Sequence, residues 1–209
     1  MGTGDDAALS GENGVRSVLP LGGGTAYLFV LAVSIIGMAG EYRHGTIGHT
    51  LLAAPERWQI IVAKVIAYAL VGLVFGALAV GLTYGISDPW MESKDAGWSL
   101  ENTLPTEIIA GSLAGNALFG VIGVGLAALL KDQVLALFTG IGLTLLIDLI
   151  LSGVVPEVNK FLPGGALSGL LNGAGEDLLD PPLGGLVLLG YAVLFVLAGA
   201  LVSQRRDLT

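Results

Sequence analysis

Charged residues along the chain stand in clusters separated by long apolar runs. No Asp, Glu, Lys or Arg occurs between Arg16 and Glu41, Lys64 and Asp88, Glu107 and Lys131, or Asp180 and Arg205, and each gap holds 23 or 24 residues. An α-helix rises about 1.5 Å per residue, so roughly 20 apolar residues cross a hydrocarbon layer about 30 Å thick. A fifth run, Gln133 to Pro156, is interrupted only by Asp148. The pattern predicts an all-α, polytopic transmembrane bundle with five spans at about 24–40, 58–86, 107–130, 132–153 and 183–203. A soluble protein of 209 residues has no core deep enough to hide five such helices. The whole chain reads as one transmembrane domain, with a leader (1–21), a loop at 41–57 and a second long loop at 154–182.

Composition sharpens this picture. Hydrophobic residues make up 54% and charged ones only 12%, about half the usual charged share. The 33 glycines, inside a bilayer, point to close helix–helix contacts rather than to disorder. The absence of cysteine excludes disulfides and thiol chemistry. A net charge of −8 with no basic stripe argues against a nucleic-acid partner. The N-terminus carries Asp5, Asp6 and Glu12 ahead of the first apolar run and lacks the basic start of a signal peptide.

Lys and Arg placement predicts orientation. One face carries Arg43, Arg57, Lys64, Lys131, Arg205 and Arg206; the other carries only Arg16, Lys94 and Lys160. By six to three the first face is expected to be cytoplasmic, with the C-terminus on that side, residues 1–21 as an acidic extracytoplasmic leader and 154–182 as an extracytoplasmic loop. The N-terminus then lies outside. An acidic start delivered outward suggests that one more helix precedes Met1 in the natural protein.

The most informative stretch is the 41–57 loop. Glu41, Tyr42, Arg43, His44 and Gly45 make a polar break after the first span. Thr46 can cap a short amphipathic segment running to Ala54, with Ile47, Thr50, Leu51 and Ala54 at helical spacing on one side. Pro55 suits the first turn of the next helix, where a missing N–H costs nothing. Glu56 follows at the positive end of the helix dipole. Lys64 lies further in, and its long stem lets the ammonium reach back to the interface. A short helix lying across the mouth of the bundle is expected, either as a plain connector or as a docking element for a cytoplasmic partner.

Gly40-Glu41-Tyr42-Arg43-His44-Gly45-Thr46-Ile47, then Pro55-Glu56-Arg57, then Ala63-Lys64, resembles the signature of type 2 ABC-transporter permeases, the membrane subunits of bacterial ABC exporters. Leu129-Leu130-Lys131-Asp132 resembles that family's short basic turn, Lys160-Phe161-Leu162-Pro163 the opening of its last extracellular loop, and Arg205-Arg206-Asp207 its closing motif. The resemblance covers roughly 22–209. It implies that the loop carries a coupling helix that fits a groove on a separate ATP-binding subunit, with Glu41, Arg43, His44, Thr46, Pro55, Arg57 and Lys64 as the docking residues. It also implies a second permease subunit, identical or related. ATP and Mg would sit on the partner, with no cofactor on this chain. Such permeases have six spans and begin with a basic elbow helix and a first membrane helix. By analogy the five spans here are the second to the sixth.

Asp148 is the one acid inside a span, about 24 Å along its helix from Asp132. It is a possible pathway residue for substrate or proton handling, or else it bonds a neighbouring helix or faces a polar vestibule. His44, His49 and Glu41 have poor geometry for a shared metal, and no metal site is expected. Asn116 and Thr144 are expected to hydrogen-bond between helices. Ala166–Leu171 is an apolar patch too short to span, expected as a re-entrant or surface helix. Glu176, Asp177 and Asp180 read as a solvated rim, and Trp90 and Trp98 as an interfacial anchor. No G-x-x-x-x-G-K-[ST] loop, Gly-x-Ser-x-Gly or zinc spacing occurs, so no catalytic site is expected on the chain.

The expected function is the permease of an ATP-driven exporter in the plasma membrane of a prokaryote. The alternatives are a non-transporting assembly or scaffold subunit, and an intramembrane enzyme, for which Asp148 is the only intramembrane acid.

Overall fold

The structure, a computed structural model, describes residues 11–43, 57–92, 103–173 and 178–205. Its elements are all helical, and no strand occurs among the described residues. They are α1 (Gly11–Arg43), α2 (Arg57–Glu92), α3 (Thr103–Leu130), α4 (Gln133–Ile141), a π-helical turn (Gly142–Leu146), α5 (Ile147–Val154), α6 (Pro156–Asn159), α7 (Pro163–Leu170) and α8 (Pro181–Arg205). The five predicted spans fall on α1, α2, α3, the continuous α4–π–α5 rod and α8, each long and apolar enough to cross a membrane. With no water in the hydrocarbon layer, the backbone must satisfy its own polar groups, and helices do so within each segment.

Two helices run well past their predicted spans. α1 has 33 residues and starts at Gly11, so the second half of the predicted leader is helical. α2 has 36 residues and includes Pro89 near its end, rising about 54 Å. The charge pattern alone could not show this, because polar residues end an apolar run without ending a helix.

α3 is the central helix. Its most apolar stretch is 61% buried, against 17% for α2, the α4–α5 rod and α8. It packs on α1, α2 and α8. Small residues let the backbones close: a Cβ on Gly120 would meet the Tyr68 carbonyl oxygen at 2.3 Å, and one on Gly125 would meet the Val196 nitrogen at 2.6 Å. In lipid, association rests on such packing and on interhelical hydrogen bonds, because the tails are as apolar as the side chains. Asn116 supplies one such bond, donating to the Gly23 carbonyl of α1 at 3.0 Å as well as to Ser112 on its own helix. Thr144 donates to Gly140 on its own helix at 2.8 Å and lies against the Tyr27 hydroxyl of α1. Large apolar side chains such as Leu70, Leu82, Phe138, Leu149 and Leu194 point away from the bundle, as a lipid-facing surface requires.

Candidate functional site

The 44–56 loop joins α1 to α2 at one end of the bundle. His44, Thr46 and Pro55 lie outside the described residues, as does the predicted amphipathic segment; Arg57 opens α2. The described residues around that loop form a polar collar. Lys64 Nζ stands 2.6 Å from Glu41 Oε1, with both side chains mostly buried. The same ammonium donates to the Gly37 carbonyl at 3.3 Å and lies 5.9 Å from the centroid of the Tyr68 ring. α1 and α2 are therefore locked together where the loop leaves one and enters the other. The long Lys stem bends to α1 instead of reaching out to the interface. Glu41 Oε2 is buried and has no hydrogen-bond partner among the described residues.

The α3–α4 turn completes the collar. Lys131 takes a positive φ of 57°, and its Nζ lies 5.7 Å from the Tyr42 ring centroid. Asp132 caps α4 by accepting from the Leu135 N–H at 2.7 Å. Arg43 donates to Gln133 Oε1 at 3.5 Å. Glu41, Tyr42 and Arg43, three consecutive residues, thus contact Lys64 on α2, Lys131 in the α3–α4 turn and Gln133 at the start of α4. Sequence reasoning named Glu41, Arg43 and Lys64 but not their partners, because a helix turns successive side chains about 100° apart and only packing decides what each meets.

A second site lies at the opposite end. The short helix expected over Ala166–Leu171 is α7, found at Pro163–Leu170 and largely buried in the protein. Glycines seat it: a Cβ on Gly111 would meet the Leu170 carbonyl oxygen at 2.4 Å, and one on Gly184 the Ala166 carbonyl oxygen at 2.5 Å. Non-helical backbone beside such a helix is tolerated at membrane depth only where protein surrounds it. Asp148 points at the start of α7. The Gly165 N–H hydrogen-bonds its carboxylate, and the Asn159 amide nitrogen, turned to the acid, donates to Oδ1 at 2.9 Å and to the Asp148 carbonyl at 3.1 Å. A Cβ on Gly164 would meet the carboxylate carbon at 2.8 Å, so a larger residue there would push the acid aside. The acid caps α7's positive end.

The π turn explains why Asp148 can do this. Ala136, Gly140 and Thr144 are buried at four-residue steps. In a regular α-helix each such step drifts by roughly 40°, which would swing Asp148 about 120° off the buried line. The wider turn at Gly142–Leu146 takes up that drift. Sequence reading missed the turn, since nothing in Gly-Leu-Thr-Leu-Leu marks it.

One prediction follows for this seat. In Asp148→Leu, the Gly165 N–H and the Asn159 amide lose their acceptor, costing roughly 1–3 kcal/mol; Asp148→Asn keeps an acceptor and loses less. The chain has no native cysteine. A cysteine at buried Ala166 should therefore react with an impermeant maleimide in the Leu variant and stay protected in the Asn variant. Equal protection in both would show that Asp148 does not hold α7.

The ABC-2 family transporter protein domain matches residues 25–172. The chain belongs to the ABC-2 transporter family. The matched region runs from within α1 through the collar, the 44–56 loop, the α3–α4 turn and all of α7, and ends before α8. No curated protein and no solved structure matches the chain. As an ABC-2 transporter protein, the chain is a multi-pass membrane permease component of an ABC transporter, and family membership implies association with an ABC ATP-binding subunit.

Proposed function

We propose that this chain is the membrane subunit of an ATP-driven exporter in the plasma membrane. ATP and Mg are bound by a separate subunit that docks on the 44–56 loop, and a second permease, identical or related, completes the pathway. The loop and the C-terminus face the cytoplasm, in keeping with the excess of Lys and Arg at that end. The observation that carries this reading is the family match, which runs through the loop. The collar supports it: the Glu41–Lys64 pair ties both ends of the loop to rigid helices, so a push on the loop reaches α1 and α2 without being lost in side-chain motion. ATP-driven closure of the partner would tilt these two helices against α3 and change access to the pathway.

The test is co-purification in detergent with a co-expressed ABC ATP-binding subunit from the same genome, comparing wild type with the double variant Thr46→Pro plus Arg57→Glu. Wild type should retain the subunit. The variant should insert normally and lose it. A wild-type chain that retains no ATP-binding subunit would overturn the reading.

A further inference from the structure

The α4–π–α5 rod changes character at its π turn. Before the turn it is built into the bundle: α4 packs on α1 and α3, and a Cβ on Gly140 would meet Ile35 Cδ1 at 3.1 Å and Leu126 Cδ2 at 3.2 Å. After the turn, α5 touches chiefly the turn itself, α6 and α7. No described side chain of α5 is buried, and Leu149 and Val154 are exposed by 73% and 70%. Apolar packing therefore fixes α4 but does little to hold α5 against rotation about its own axis. What orients α5 is polar. Asp148 accepts from the Gly165 N–H of α7 and from the turned Asn159 amide.

The turn also supplies a second register. The Ile147 N–H bonds the Gly142 carbonyl, five residues back, where regular α bonding would reach only four back, to Leu143. Such π bonding is rare and occurs as single turns inside α-helices, frequently at functional sites. Ala136, Gly140, Thr144 and Asp148 follow one another at steps of four, four and four. A straight α-helix keeps four residues within about 60° of one another at steps of four, three and four. The turn thus holds one residue too many for α geometry. When it closes to α bonding, α5 rotates by roughly 120° and carries Asp148 off α7. We propose that α5 is a hinged arm, with the π turn as its joint and Asp148 as its latch on α7. In the resting register the acid caps α7. In the other, the rod is α-helical throughout and the start of α7 is uncapped. Displacing α7 and rotating α5 are one event, so each drives the other. The rod begins at the collar, where Gln133 meets Arg43, and reaches α7, so it joins the two ends of the bundle through a two-state element. The device needs neither an ATP-binding subunit nor the 44–56 loop.

The distance between two spin labels tests this. The chain has no native cysteine, so labels attach only to cysteines placed at Ile150 on α5 and Leu186 on α8, both exposed. Labelled full chain in detergent is diluted with unlabelled chain, so that each distance lies within one molecule. With Asp148 in place the labels should give one distance. Asp148→Leu should shift it by up to about 9 Å, because a side chain about 5–6 Å from the helix axis moves that far in a third of a turn. Deletion of Leu143 removes the surplus residue and leaves the four positions at steps of four, three and four. That variant should fold and keep the original distance to within the roughly 1.5 Å that one residue contributes. Deletion of Gly142 should do the same. Asp148→Leu combined with either deletion should shift nothing, because no second register is left. An unmoved distance in Asp148→Leu overturns the proposal, since the acid is then no latch. An equal shift in the combined variant overturns it too, since the motion then does not arise in the π turn. If both deletions unfold the chain, the turn holds no surplus residue and the proposal fails.

Discussion

Gly72→Val is expected to part α2 from α3 and to cost roughly 3 kcal/mol, the upper range for overpacking a close-packed interior. A Cβ at Gly72 would meet the Asn116 carbonyl oxygen at 2.3 Å and the Ala117 Cα at 2.7 Å. Both are backbone atoms of the central helix, so no rotamer change can yield. The helices must separate, which also strains the nearby bond from Asn116 to Gly23. Gly81, nine residues along α2, has nothing within 4 Å of a built Cβ. Gly81→Val should therefore stay within about 0.5 kcal/mol of wild type, as surface changes do. The check is thermal unfolding followed by size-exclusion chromatography in detergent. Equal midpoints for the two variants would mean that α2 and α3 do not close as described.

The second large effect is expected at the collar. Glu41→Lys sets two cations, and Lys64→Glu two acids, where Glu41 Oε1 and Lys64 Nζ now stand 2.6 Å apart. Both side chains are largely out of solvent, so breaking the pair should cost about 3 kcal/mol, toward the lower end for buried pairs. The charge-swapped double variant should recover a good part of this, and the cycle isolates the pair from its surroundings. On the proposed function, each single variant also loses the ATP-binding subunit in co-purification while the double variant regains it. If stability recovers in the double variant but subunit retention does not, the pair is a brace between α1 and α2 and the charges themselves do not serve docking. If the single variants unfold no more easily than wild type, the pair contributes nothing.

The collar was only half legible beforehand. Glu41 and Arg43 were legible as the polar break that ends the first span, Lys64 as a long cation near the interface, and all three through the resemblance to the permease signature. That Glu41 reaches Lys64, Tyr42 faces Lys131 and Arg43 meets Gln133 required the packing of α1, α2 and the α3–α4 turn. Asp148 shows the same limit. Its depth could be counted from Asp132, and bonding to a neighbouring helix was among the readings open to it. The bond to Gly165 in α7 became visible only once the π turn had set its direction. Arg16 was seen only as a minority charge on its face, because its pairing with Asn172 joins residues 156 apart in the chain.

By itself, the amino-acid sequence determined that five helices cross a bilayer, which one-dimensional properties suffice to establish. Uncharged runs long enough to span are counted along the chain, and a hydrocarbon solvent leaves the backbone almost no choice but helix. Membership of the ABC-2 transporter family was likewise legible in short ordered motifs. The tertiary structure alone decided that α3 is the centre, that α7 is a seated half-helix, and which charges pair. In lipid these depend on how closely two backbones approach, and that distance is set jointly by side chains from different helices, such as Gly72 with Asn116 or Gly184 with Ala166.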